Sequence, residues 1–118
     1  MVRAHETVAV LVLAACVTAV VVGAIAYRRG GRAATAAPHV LALVQTLLVA
    51  QVALGLLLLS DDRRAPDELH YAYGTFALAA VLAPWMYAPA EPRRRLAWFV
   101  VATLIAGLLA GRAYMTAR

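Results

Sequence analysis

The chain has 118 residues, of which 64% are hydrophobic and 14% charged, with a mean hydropathy of +0.79; this lies far from the soluble average and points to a polytopic membrane protein of one small domain. Its formal charge of +5 comes from eleven basic residues, all arginine, gathered at the ends of apolar runs, which favours membrane anchoring over a nucleic-acid-binding face. The single cysteine, Cys16, excludes an internal disulfide and any multi-cysteine metal or iron–sulfur site.

Four apolar runs follow in chain order, each long enough to cross a hydrocarbon layer of roughly 30 Å as a helix of about 20 residues. The first covers about 5–27, "HETVAVLVLAACVTAVVVGAIAY". The second covers about 38–60, with Pro38 placed in the first turn, where a helix tolerates it. The third covers about 67–88, and Pro84 near its end predicts a kink or an early stop. The fourth covers about 95–116. The connections "RRGGRAATAA", "DDRRAPDE" and "PAEPRRR" are short, polar and rich in glycine or proline, so sequential spans are expected to be antiparallel neighbours. The predicted architecture is all-α, an up-down-up-down bundle of four transmembrane helices, with no soluble domain. "LAAC" at 13–16 and "AIA" at 24–26 match signal-processing sites. Small residues are so common here that both matches are expected to be accidental and the N-terminus retained.

Orientation is read from the arginines. Arg28, Arg29 and Arg32 share a side with Arg93, Arg94 and Arg95, while Arg3, Arg63, Arg64, Arg112 and Arg118 lie opposite. Arg112 falls inside a span and Arg118 ends the chain, so the compact clusters mark the cytoplasmic side and both termini are expected outside. Tyr27, Trp85, Tyr87 and Trp98 then form an inner aromatic belt, and Tyr71, Tyr73 and Tyr114 an outer one.

This topology singles out two histidines. His5, in "RAHETVAV", and His70, in "DELHYAYG", open the first and third spans and enter the bilayer at similar depth on one side. His39 opens the second span on the other. A common metal, in a membrane most naturally a heme iron, would make His5 and His70 partners. Small residues lie below each: Ala9, Val12, Cys16, Ala19 and Gly23 under His5, and Gly74, Ala77 and Val81 under His70. Such stripes would leave a slot for a flat macrocycle. Arg112, at a similar depth, is a candidate partner for heme propionates, with Arg3, Arg63, Arg64 and Tyr71 as further ones. The plainer alternative is an ordinary interfacial histidine and an arginine that snorkels to the surface.

The stretch from His5 to about Ala88 resembles one four-helix half of heme A synthase. A histidine opens an outer-side helix, an arginine-rich inner loop follows, a helix carries "QVALGLLLLS" before a polar outer loop, and the next helix opens with "LHYAYG". That family is built from two such halves, with half-size members, and each half holds a heme between two histidines. The resemblance covers about three quarters of the chain and carries the ligands onto His5 and His70. The synthase's catalytic half presents a glutamate one turn before its first histidine. Here that turn is 1–4, without an acid, and Glu6 falls on another helix face. The resemblance therefore implies the non-catalytic, cofactor-holding half.

Other intramembrane polar groups read as packing. Gln51 and Gly55 share a face suited to bonding and close approach across helices, with Gln45 well round from them. Gly107 and Gly111 form a small-xxx-small motif suited to packing within the bundle or against another subunit. Cys16 is a buried, unreactive thiol, and not an axial ligand. Asp61, Asp62, Asp67 and Glu68, interleaved with Arg63 and Arg64, read as a solvated loop. No nucleophile–base pair or phosphate loop is visible. The leading expectation is a small b-type cytochrome holding one heme b near the outer face through His5 and His70, with Gly74, Tyr71 and Arg112 beside it. It would transfer electrons or serve a larger membrane complex or homo-oligomer, with no nucleic-acid partner. The alternatives are a heme-free accessory subunit of a respiratory or photosynthetic complex, and a half-size heme A synthase.

Overall fold

The computed structural model describes residues 2–60 and 69–116. Four helices account for almost all of them: α1 (Val2–Arg29), α2 (Arg32–Ser60), α3 (Leu69–Tyr87) and α4 (Pro92–Thr116). At 1.5 Å per residue their 28, 29, 19 and 25 residues give rods of about 42, 44, 28 and 38 Å. They lie side by side in a body of 47 × 24 × 19 Å, an all-α four-helix bundle. Two antiparallel hairpins, α1–α2 and α3–α4, join along α1 and α4. The α2–α3 side is only loosely closed, and α1 and α3 stand diagonally with no backbone approach among the described residues.

The turn between α1 and α2 is shorter than "RRGGRAATAA" predicts. Gly30 and Gly31 alone make it, with φ of 67° and 66°, a left-handed pair that residues with a Cβ adopt only at a cost. The Gly30 amide donates to the Ala26 carbonyl at 2.9 Å, and the Ala34 amide to Gly31 at 3.1 Å. Arg32 to Ala37 then join α2, because alanine is the strongest helix former. Pro38 consequently lies inside the helix, where it cannot donate to the carbonyl of Ala34. Pro84 is likewise inside α3 and buried. The helix survives it by one turn, ending at Tyr87 with the Ala88 amide on the Pro84 carbonyl at 2.9 Å.

Helix α4 starts at Pro92, three residues ahead of the expected 95. Proline suits this first position because its missing N–H would have no partner there. The preceding Glu91 caps the helix: its Oε1 accepts from the Arg93 amide at 3.1 Å and its Oε2 from the Arg94 amide at 2.8 Å. These bonds, helped by the two arginine charges, hold its carboxyl below the usual carboxylate range. The loop at 61–66 and the expected first two residues of the third span, Asp67 and Glu68, lie outside the described residues.

The core is built from small and medium side chains: Val12, Cys16 and Ala19 of α1, Val44 and Leu48 of α2, Ala77 and Val81 of α3, and Ala106 of α4. Such residues let backbones approach, which is how helices associate where the surroundings are as apolar as the side chains. Gly107 faces α1 so closely that an added Cβ would lie 3.1 Å from Cys16 Cβ, and one on Gly111 would meet Leu13 at 3.9 Å. The small-xxx-small face of α4 is thus spent on α1, inside the chain.

The outer surface is apolar as well. Leu56, Phe76, Met86 and Leu108 each expose 60% or more, a surface that water does not tolerate around a monomer. Thr18, Thr46 and Thr75 are exposed, and each donates its hydroxyl to the carbonyl four residues back, at 2.8–3.0 Å, the means by which a helix facing lipid satisfies a hydroxyl. Three helices are long and apolar enough to cross a membrane: Arg3–Arg29, Arg32–Leu58 and Pro92–Met115.

Candidate functional site: a histidine pair at one end of the bundle

Antiparallel packing sets the starts of α1 and α3 beside the ends of α2 and α4. His5 stands one turn into α1 and His70 at the second residue of α3, and both side chains are half-buried. Their ring centroids lie 6.0 Å apart with 76° between the planes. The backbones of α1 and α3 stay apart among the described residues, and the two imidazoles meet across this diagonal.

Each ring is held by a neighbouring helix. Nδ1 of His70 lies 2.7 Å from the carbonyl oxygen of Ala113 on α4. A carbonyl only accepts, so Nδ1 carries the proton and donates, and the lone pair is left on Nε2. His5 packs on Gly55 of α2, where an added Cβ would lie 3.3 Å from its Cε1 and 4.0 Å from its Nε2. The main-chain carbonyl of Gln51, one turn away, borders the same ring. Two buried polar atoms of these residues have no hydrogen-bond partner, Nδ1 of His5 and Oε1 of Gln51. Buried polar atoms are nearly always paired, so each of these two atoms has room in its bonding for a further polar group.

The remaining predicted residues divide. Tyr71 stacks edge-to-face on His70, with centroids 5.7 Å apart. Gly74, one turn further along α3, has open space where a Cβ would be. Arg112 is at the same end but exposed, with its guanidinium 5.7 Å from the centroid of Tyr73 and Nη1 3.9 Å from Met115 Sδ. Arg3 is exposed, as is Glu6; Arg63 and Arg64 lie outside the described residues. His39 is exposed at the far end of the bundle. The expected slot beneath His5 is closed, because α4 fills that stripe with Gly107 against Cys16 and Val100 against Gly23. Cys16 therefore packs on a helix and lines no cofactor space.

Three contributors went unrecognised in the sequence: Gln51, Gly55 and the carbonyl of Ala113. Reflecting residue 5 through the Gly30–Gly31 turn lands beside Gly55, a usable signal once the turn is known. A backbone acceptor such as Ala113 leaves no mark in side-chain patterns.

The far end gathers arginine and aromatic side chains. Arg93 lies over the Tyr27 ring at 4.2 Å, and Arg95 over Trp85 and Phe99 at 5.6 and 5.4 Å. The Trp85 indole N–H donates to Gln45 Oε1 at 2.9 Å, which ties α3 to α2 where they otherwise barely touch.

The molecule thus belongs to the class of all-α bundles with a histidine pair between diagonal helices. No protein-family model matches the chain, and no curated protein or solved structure does either. The class is therefore defined by this geometry. A metal held here would take one nitrogen from each ring. Among the described residues no third histidine, cysteine or carboxylate joins the pair. Two nitrogens are a thin donor set for a bare divalent ion, which takes four or more ligands. They would suit an iron that a porphyrin also holds.

Proposed function

We propose that the chain is a small multi-pass membrane protein that holds one heme b between His5 and His70 and serves electron transfer, alone or within a larger membrane assembly or homo-oligomer. The observation that carries this reading is the meeting of the two imidazoles, 6.0 Å apart, from helices whose backbones do not touch. His5 and His70 would hold the heme, which would supply one-electron chemistry. The protein's own part is to orient the donors. The Ala113 carbonyl fixes the His70 tautomer so that Nε2 faces outward from that bond. Gly55 admits the His5 ring against α2, and the open space beside Gly74 adjoins the pair on α3. Tyr71 and Arg112 lie at the same end, where acidic edges of the group would need donors.

The resemblance to the non-catalytic half of heme A synthase supports the same ligand pair. Exposed Glu6 and the acid-free turn before His5 argue against heme methyl oxidation. All four helices cross the bilayer in this reading, with the arginine clusters cytoplasmic and both termini outside. The test is a visible spectrum of purified protein titrated with hemin. A sharp Soret band and a reduced α-band are expected in wild type and His39→Ala, and neither in His5→Ala or His70→Ala. A chain that takes up no hemin, or whose spectrum survives both ligand substitutions, ends the proposal.

A further inference from the structure

The groove left where α2 and α3 separate has a chemistry independent of the histidine pair. It lies at the arginine-rich end, between α2, α3 and α4, with a volume of about 360 Å³. Leu41 and Ala42 form one wall, and Leu96 and Phe99 the other. From Pro92 at the mouth to Phe99 is seven residues of α4, a depth of about 10 Å, enough for part of one acyl chain. Arg95 borders the groove. Its guanidinium is held over Trp85 and Phe99 and, among the described residues, makes no ion pair. The surrounding field is strongly positive: Arg28, Arg29, Arg32, Arg93 and Arg94 share this end, against one carboxylate, Glu91, which is already committed to the α4 cap.

We infer that this groove is a binding site for an anionic phospholipid, its chain lying along Leu41, Ala42, Leu96 and Phe99 and its phosphate on Arg95. The apolar walls call for a hydrocarbon chain. The unpaired guanidinium above them calls for an anion, and arginine presents several N–H donors to phosphate. A basic pocket between membrane helices is a recurrent form of headgroup recognition. The Trp85–Gln45 bond pins the α2–α3 side of the groove, so the cleft does not depend on lipid to exist.

Trp85, at the groove, supplies the reporter. The full chain carrying Trp98→Phe, so that only Trp85 fluoresces, is placed in phosphatidylcholine vesicles containing a minor fraction of brominated phosphatidylglycerol or brominated phosphatidylcholine. Quenching by the anionic lipid is expected at about fivefold lower mole fraction, the effect of one well-placed arginine. The preference should fall to about one in Arg95→Gln, and also in Ala42→Phe, which fills the groove while keeping every charge. It should persist in Arg94→Gln, which removes an exposed charge outside the groove. Equal quenching by both lipids in the parent overturns the site. So does a preference that survives Ala42→Phe, or one lost equally in Arg94→Gln, which is diffuse attraction to the basic end. Weak and equal quenching by both lipids would mean that a second copy of the chain covers the groove instead.

Discussion

Replacing Gly23 by alanine tests the register of α1 on α4, on which the position of His5 relative to α4 depends. A Cβ at this position would run into Val100 Cγ2, while its next contacts, to Val100 Cβ and Cγ1, stay at 3.6 and 3.7 Å. Only one methyl is in the way. It belongs to a β-branched side chain with a single favoured rotamer in a helix. Turning it aside costs about 0.5–1.5 kcal/mol, and moving the helix costs about 1–3 kcal/mol. Against this, alanine at an interior helix position gains about 0.5–1 kcal/mol over glycine. The expected net effect of Gly23→Ala is a loss of up to about 2 kcal/mol. In a Val100→Ala background the obstacle is gone and only the propensity gain remains, so the sign reverses. The measurement is a double-mutant cycle on unfolding in mixed micelles, with a coupling of about 2 kcal/mol expected. Equal effects of Gly23→Ala in both backgrounds would refute the packing of α1 on α4 described above.

Three further outcomes follow from the geometry. Gly55→Val puts branched atoms where His5 Cε1 already lies 3.3 Å from a Cβ, so hemin affinity should drop about tenfold or more while Gly55→Ala binds nearly as wild type; unchanged binding in the valine variant would contradict the contact. Gly30→Ala and Gly31→Ala place a Cβ at φ of 67° and 66°, each costing about 1–2 kcal/mol in the same unfolding assay. Glu91 has a depressed carboxyl pKa, chiefly from the Arg94 and Arg93 amides. Its stabilisation of α4 is therefore present above the usual carboxylate range and lost as pH falls through the lowered value. An acid titration followed by circular dichroism should show a component missing from Glu91→Ala.

Four helices and their antiparallel order are legible in the sequence because 64% of the residues are hydrophobic and most of the charges stand between runs or at their ends. Boundaries are less so. "RAATAA" looks like linker beside two glycines, yet its alanines prefer helix, and the turn needs only Gly30 and Gly31. Pro38 seems a start signal and proves to be interior. The meeting of His5 and His70 can be inferred from parity, since odd-numbered helices start on one side. What parity cannot supply is rotation about each helix axis. That rotation turns Arg112 toward Tyr73, gives the stripe below His5 to α4, and makes Gln51 and Gly55 neighbours of a ring when they read as helix–helix contacts.

The histidine pair lies across the seam between the two hairpins: His5 belongs to the first and His70 to the second, on helices whose backbones stay apart. Anything that ligates both rings is then a rivet between the halves. Its binding free energy adds to their adhesion, so halves made as separate polypeptides should assemble more tightly when it is supplied.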